Sequence, residues 1–133
     1  MEFPADFKAR QKQHWDQVAD GWATWLEWIE RNFKPVTDFV QDAVGWRPGI
    51  RALDIGCGAG YPSLIAARRV GPGGSVVATD LSPEMLSAAP SAAQRSGLRN
   101  ISFLEMDAED LTLESASFGA VTNTYGLMFC PDA

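Results

Sequence analysis

Arg51-Ala52-Leu53-Asp54-Ile55-Gly56-Cys57-Gly58-Ala59-Gly60-Tyr61 is the run from which the rest of the chain is read. An apolar segment ends in three glycines at alternate positions, and an acid stands two residues before the first. Pro62 follows and opens a helix-like stretch from Ser63 to Val70. The pattern is strand, tight turn, helix N-terminus. Glycine lets the backbone turn sharply and lets a ligand come close where a Cβ would stand. The helix end adds unpaired N–H groups and a partial positive charge. Such a turn holds a nucleotide-like ligand.

Downstream of this run, strands and helices alternate. Gly71-Pro72-Gly73-Gly74 ends the first helix. Ser75 to Asp80 reads as a second strand that closes on an acid. Ser82-Pro83-Glu84 starts a helix, with Ser82 as N-cap, that runs through Met85, Leu86 and Ala89 towards Arg95. Pro90 interrupts it, and an interior proline costs roughly 3 kcal/mol, so a kink or early end is expected there. Ile101 to Met106 is a third strand, followed by Asp107. Leu111 to Ser117 reads as a connector with one helical turn, Phe118 to Asn123 as a fourth strand, and Pro131-Asp132 as the opening of another helix. This alternation predicts an α/β fold with a parallel sheet and right-handed crossovers. Ligands of such sheets sit at the carboxyl ends of the strands.

Upstream lies an aromatic arm. After a lead-in over residues 1–7, apolar residues from Lys8 to Phe33 fall at helical spacing: Trp15, Val18, Ala19, Trp22, Leu26, Ile29 and Phe33. Gly21 is where this helix can break, Lys34-Pro35 is expected to stop it, and a third helix is expected from Pro35 to Val44. Four tryptophans (Trp15, Trp22, Trp25, Trp28) lie in the arm and cannot share one helical face. They either seal the arm onto a core or line a ligand pocket from a lid, and both readings stand. His14 is more naturally a surface or capping residue than a base.

The totals narrow the classes. At 133 residues the chain is one domain by length. Seventeen acids against 11 bases give a net charge of −6, which argues against a nucleic-acid partner. Cys57 and Cys130 are expected as free thiols in a reducing compartment. With no signal segment visible and no apolar run long enough for a membrane span, a cytoplasmic location is expected.

The spacing then selects a ligand. A dinucleotide turn is G-x-G-x-x-G; here it is G-x-G-x-G, with Tyr61 at the sixth position. A carboxylate at Asp54 would repel a pyrophosphate and suits an ammonium or sulfonium. Asp80 suits two ribose hydroxyls, since a carboxylate accepts several hydrogen bonds, and Asp107 suits an adenine amino group. S-adenosylmethionine combines an amino-acid end, a ribose and an adenine without phosphate.

The motifs Leu53 to Gly60, Ala78 to Leu86, Met106 to Glu109, Ser117 to Val121 and Gly126 to Asp132 together resemble the class I S-adenosylmethionine-dependent methyltransferases, in the ubiquinone/menaquinone-biosynthesis type of small-molecule branch. The resemblance covers roughly residues 45–132. It implies a Rossmann-like parallel sheet in the order 3-2-1-4, the first four strands of that fold, with an N-terminal helical arm or lid over residues 1–47 and the cofactor domain over 48–133. It implies that Asp54, Gly56, Cys57, Gly58 and Gly60 hold the methionine end of the cofactor. Asp80 takes the ribose, Leu81 and Met85 pack by the adenine, Asp107 and Ala108 meet its edge, and Asn123, Thr124 and Tyr125 lie under the sulfonium. Trp15 and Trp22 become lid residues, and the only candidate bases are His14 and Tyr125. Gly119 replaces a customary Asp, which weakens the start of the fourth strand. The expected activity is direct SN2 methyl transfer to a small-molecule acceptor. The alternative is a cofactor-binding but inactive truncated or split form, because the chain stops after its fourth strand. Self-association or a partner is then expected to cover that strand's edge.

Overall fold

The computed structural model of the chain describes residues 3–132; Met1 and Glu2 of the lead-in, and Ala133, lie outside the described residues. Four strands, β1 (Arg51–Ile55), β2 (Ser75–Asp80), β3 (Ile101–Glu105) and β4 (Ala120–Asn123), form one sheet in the order β3-β2-β1-β4. All three pairings are parallel, and the register sets Ile55 opposite both Thr79 and Asn123, and Asp80 opposite Glu105. The carboxyl ends of the strands therefore finish side by side. The α/β class and strand order are those expected.

Small side chains bring the first crossover helix close to the sheet. In α3 (Tyr61–Val70), Ala66, Ala67 and Val70 pack on Ala52 of β1 and Val76 of β2, all nearly inaccessible to solvent. Leu64 of α3 meets Ala92 and Ala93 of α5 (Ala89–Arg95), so both helices cover the same face. Gly60 precedes α3 at φ 94°, and a Cβ there would come within 2.9 Å of the Ala89 Cβ. Only glycine satisfies both the left-handed backbone and that approach.

Ser82 caps α4 (Pro83–Ser87) by accepting from the Met85 N–H at 3.1 Å. The helix ends at Ser87 and resumes after Ala88 as α5, with Pro90 in the new first turn. There its missing N–H is not needed. The interruption expected at Pro90 is thus a clean division into two short helices.

The arm departs from expectation twice. It forms α1 (Phe7–Thr24) and α2 (Leu26–Ala43), and the break falls at Trp25 rather than at Gly21. The Gly21 carbonyl still accepts from the Trp25 N–H at 3.0 Å. An interior glycine costs only about 1 kcal/mol against alanine, which a retained hydrogen bond tolerates. Pro35 also fails to stop the helix; α2 runs through it for two further turns. Those turns are anchored on α3: Thr37 and Gln41 are buried, Gln41 Nε2 donates to the Pro62 carbonyl at 3.3 Å, and Asp42 pairs with Arg69 at 2.6 Å. Packing there outweighs the local penalty.

Three smaller corrections follow. Among the described residues, the connector Leu111 to Ser117 holds no helical turn; its turn is closed by Ser117 Oγ donating to the Glu114 carbonyl at 2.7 Å. β4 starts at Ala120 rather than Phe118, whose ring lies 4.5 Å beneath the Arg51 guanidinium. Pro131 and Asp132 lie in a turn after a single 3₁₀ turn, Leu127–Phe129, and start no helix among the described residues. Cys57 and Cys130 are free thiols. No helix among the described residues is long and apolar enough to cross a membrane.

Candidate functional site

The strand ends open on a cavity of about 230 Å³, with the turns after β1 to β4 as its floor and α1 and α2 as its roof. At Gly56, with φ 67°, a Cβ would come within 3.2 Å of the Gly126 Cα, so the turns after β1 and β4 meet backbone to backbone. Asn123 fastens them. Its Nδ2 donates to the Ile55 carbonyl at 2.6 Å, and its Oδ1 accepts from the N–H groups of Gly126 and Leu127 at 3.1 Å.

Asp80 ties the turns after β1 and β2. One carboxylate oxygen accepts the Gly58 N–H at 2.8 Å and the other the Ser82 N–H at 2.9 Å. Burial raises its pKa, and these N–H groups pull the other way. A carboxylate has about four lone-pair sites, so each oxygen keeps one for a ligand. Asp107, after β3, gives one oxygen to Glu109 and the other to Lys8 Nζ at 2.9 Å. Partial burial opposes its ionisation, but the Lys8 ammonium and the Glu109 N–H together outweigh that and leave the pKa below its ordinary value.

Asp54 behaves differently. It is 1% exposed and does not line the cavity. Like Ala52 on its strand, it points towards α3, where Ser63 Oγ donates to one oxygen and Thr122 Oγ1 donates to the other at 2.8 Å. Burial pushes its pKa up to about 6 despite these two hydroxyls. Asp54 therefore braces β1, β4 and the start of α3 from beneath the glycine turn.

The roof is held by polar ties to the same strand ends. Lys12 donates to the Leu81 carbonyl at 3.0 Å and pairs with Glu105; Ser82 Oγ donates to Asp16 at 2.5 Å; Lys8 also reaches Glu109 at 2.8 Å. Inside, Trp15 meets Trp22 and Phe129 edge to face at 6.2 and 5.1 Å, and Phe33 meets Tyr125 at 5.8 Å. Tyr125 has φ 66°, a left-handed backbone beside the meeting of the two turns.

The expected residues gather with two exceptions. Gly56, Cys57, Gly58 and Gly60 line the cavity; so do Asp80, Leu81 and Met85, and Asp107, Ala108 and Asn123. Tyr125, Thr124, Trp15 and Trp22 line it too. Asp54 is the first exception; His14 is the second, exposed on the outside of α1. Cys57 is buried against the cavity with its thiol towards the Gly58 carbonyl at 3.6 Å, and burial, then the Asp54 and Asp80 charges, hold its proton on well above the ordinary range. Gln11, Glu30 and Thr37 line the roof and were not anticipated. The stripe Trp22, Leu26, Ile29, Phe33 was the signal for that face, and it continues to Thr37 once Pro35 is helical.

Comparison with known proteins agrees with this geometry. The model of the methyltransferase-domain family matches residues 52–133. Nocamycin O-methyltransferase of Saccharothrix syringae is 39% identical over 100 residues, covering 75% of this chain and 36% of that protein. Aklanonic acid methyltransferase DauC of a Streptomyces species is 45% identical over 85 residues, covering 64% of this chain and 39% of that protein. The crystal structure of the YcgJ protein from Bacillus subtilis superposes with a TM-score of 0.62 at 31% identity, covering 67% of this chain and 37% of that one.

The chain belongs to the methyltransferase-domain family.

Its fold is that of the class I S-adenosylmethionine-dependent methyltransferases, and S-adenosylmethionine is its cofactor. The cleft fits that molecule on its own chemistry: Asp80 keeps acceptors free, and no Lys, Arg or His lines the cavity among the described residues to take a phosphate. The chain spans little more than a third of the length of the relatives named.

Proposed function

We infer that this chain holds the cofactor of an enzyme that methylates a small molecule by direct displacement. The observation that carries this reading is the Asp80 carboxylate, fixed between Gly58 and Ser82 with lone pairs to spare, at the edge of a cavity without a cation. Bound S-adenosylmethionine supplies a methyl group already activated by its sulfonium. The chain's own residues have to bind, orient and exclude water, and orientation alone is worth roughly 7–11 kcal/mol.

In this reading Gly56, Gly58 and Gly60 give backbone access to the methionine end, while Cys57 walls it. Asp80 takes the ribose hydroxyls, Leu81 and Met85 flank the adenine, and Asp107 with Ala108 meets its edge. Asp54 acts through the turn it braces rather than by contact. Asn123 positions the turn that carries Thr124 and Tyr125 under the sulfonium. The arm over residues 1–47 is the lid, and Trp15 and Trp22 are its inner surface. A small-molecule acceptor accords with the relatives named as acting on nocamycin and aklanonic acid. The outer edge of β4, where Val121 is 55% exposed, is the surface for association with a second copy or a partner, which light scattering at low micromolar concentration measures.

Calorimetry with S-adenosylmethionine tests the reading. Asp80→Ala is expected to weaken binding by roughly 2–4 kcal/mol, through lost charge-assisted hydrogen bonds and a loosened Gly58 turn. An unchanged affinity would remove Asp80 from the cofactor site.

A further inference from the structure

The cavity has a second end, of which the cofactor reading uses only Trp22 and Tyr125. α1 crosses the ends of β2 and β3, where Lys12 and Lys8 tie it down. α2 crosses the turn after β4 and the start of α3, where Phe33 meets Tyr125 and Gln41 meets Pro62. Beneath α2 the walls are Trp22, Ile29, Phe33 and Tyr125, an apolar and largely aromatic surround.

Two polar groups break that surround. Glu30, on α2, lines the cavity, is partly buried, and has no hydrogen bond or ion pair among the described residues. The other two carboxylates on the cavity, Asp80 and Asp107, are both engaged. Tyr61, in the first turn of α3, lines the cavity as well, and its hydroxyl has no partner among the described residues. The two lie close enough for the Glu30 charge to bear on the Tyr61 phenol. Burial, then Glu27, raises the pKa of Glu30, with Arg68 opposing from outside the lining. No cation lines this end among the described residues: Lys34, paired with Asp38 at 2.5 Å, and Arg68 act on the Tyr61 phenol from outside the lining.

A carboxylate in an apolar wall, with Arg68 acting only from outside the lining, sets a charge rule. A neutral hydroxyl that reaches it forms a charge-assisted hydrogen bond, stronger than one between neutral groups. A phosphate or carboxylate at the same place meets like charge, and the desolvation of its own charge goes unrepaid. We propose that the seam between α2 and the first turn of α3 is the acceptor subsite, where Glu30 and Tyr61 grip the hydroxyl of a flat apolar acceptor and turn anionic acceptors away. This rests on the assignment of the opposite end to the cofactor.

The test uses two ring probes that differ in charge, 1-naphthol and 1-naphthyl phosphate. Each is titrated into the full chain saturated with S-adenosylhomocysteine and followed by tryptophan fluorescence, since Trp22 is in the wall. Wild-type chain is expected to bind 1-naphthol at least about tenfold more tightly than the phosphate, the ratio that one charge-assisted contact supplies. Glu30→Lys is expected to reverse that preference, Glu30→Gln to narrow it, and Tyr61→Phe to weaken 1-naphthol several-fold. S-adenosylhomocysteine affinity, titrated separately, stays within about twofold in all three. Equal or tighter binding of the phosphate to wild type overturns the proposal, as does a ratio that Glu30→Lys leaves unmoved, or a chain that binds neither probe. If S-adenosylhomocysteine fails to bind while the charge preference holds without it, the cofactor assignment falls and the charge rule of the seam stands.

Discussion

The floor and the roof of the cleft are both built from carboxylates and their partners, but the partners differ. On the floor, Asp54 is held by two side-chain hydroxyls, both from largely inaccessible residues, and Asp80 by two backbone N–H groups. On the roof, Lys8 and Lys12, whose side chains are 45% and 35% exposed, reach Asp107, Glu105 and the nearly buried Glu109. A buried group that loses its partner has nothing to replace it. An exposed ion pair exchanges for water at little cost and is screened by salt. The floor is therefore fixed by the fold itself, whereas the roof rests on contacts that can open and reform. The cavity volume of about 230 Å³ lies below the roughly 300 to 1,000 Å³ usual for ligand pockets, in keeping with a roof that can open.

The widest separation between the two regions is expected from Asp54→Ala. It strands the Ser63 and Thr122 hydroxyls in the core and should lower unfolding stability by about 2–4 kcal/mol in urea titration near pH 4, where Asp54 is protonated in the folded chain. A loss under about 1 kcal/mol would place Asp54 with the roof in kind.

Next comes a pH signature. Burial raises the Asp54 pKa from 3.8 to about 6, so the folded state holds this proton more tightly than the unfolded chain. The stabilisation is fully present below about pH 3.8 and is lost as pH rises to about 6, a fall of about 3 kcal/mol. Asp54→Asn cannot titrate. Its stability relative to wild type should therefore improve by that amount between about pH 4 and pH 7, and a pH-independent difference would refute the assignment.

The smallest effect is expected on the roof. Lys8→Ala combined with Lys12→Ala should speed proteolysis within α1 and leave the urea midpoint of the whole chain where it was. Salt near 1 M, where the screening length is about 3 Å, should mimic the double variant in the wild-type chain. A fall in the midpoint comparable to that of Asp54→Ala would erase the distinction between the two regions.

The sequence is informative about these regions to different degrees, for a physical reason. The floor is local: strand, glycine turn and capped helix sit within a few residues of one another, and three acids mark successive strand ends. Even so, Asp54 reads locally as a ligand group. Its alternation with Ala52 puts it on the α3 side, where it belongs to the core. The roof is made of distant pairs. Lys8 and Asp107 stand 99 positions apart and Lys12 and Glu105 stand 93 apart, and no local pattern marks them as partners. Pro35 misleads for the same reason. Its penalty is local and visible, while the burial of Thr37 and Gln41 that offsets it is tertiary. Glu30 was hidden by its neighbours, one acid among the apolar residues of a stripe read for its hydrophobicity.

Cys57 has a chemical consequence beyond packing. A cleft that stores an activated methyl group must not contain a nucleophile that takes the methyl for itself. A thiolate is the reactive form of cysteine, and a protonated thiol reacts poorly. Burial and the charges of Asp54 and Asp80 keep the Cys57 proton in place. The wall that Cys57 forms is thereby passivated against self-alkylation: the acids that shape the floor also keep this sulfhydryl chemically silent.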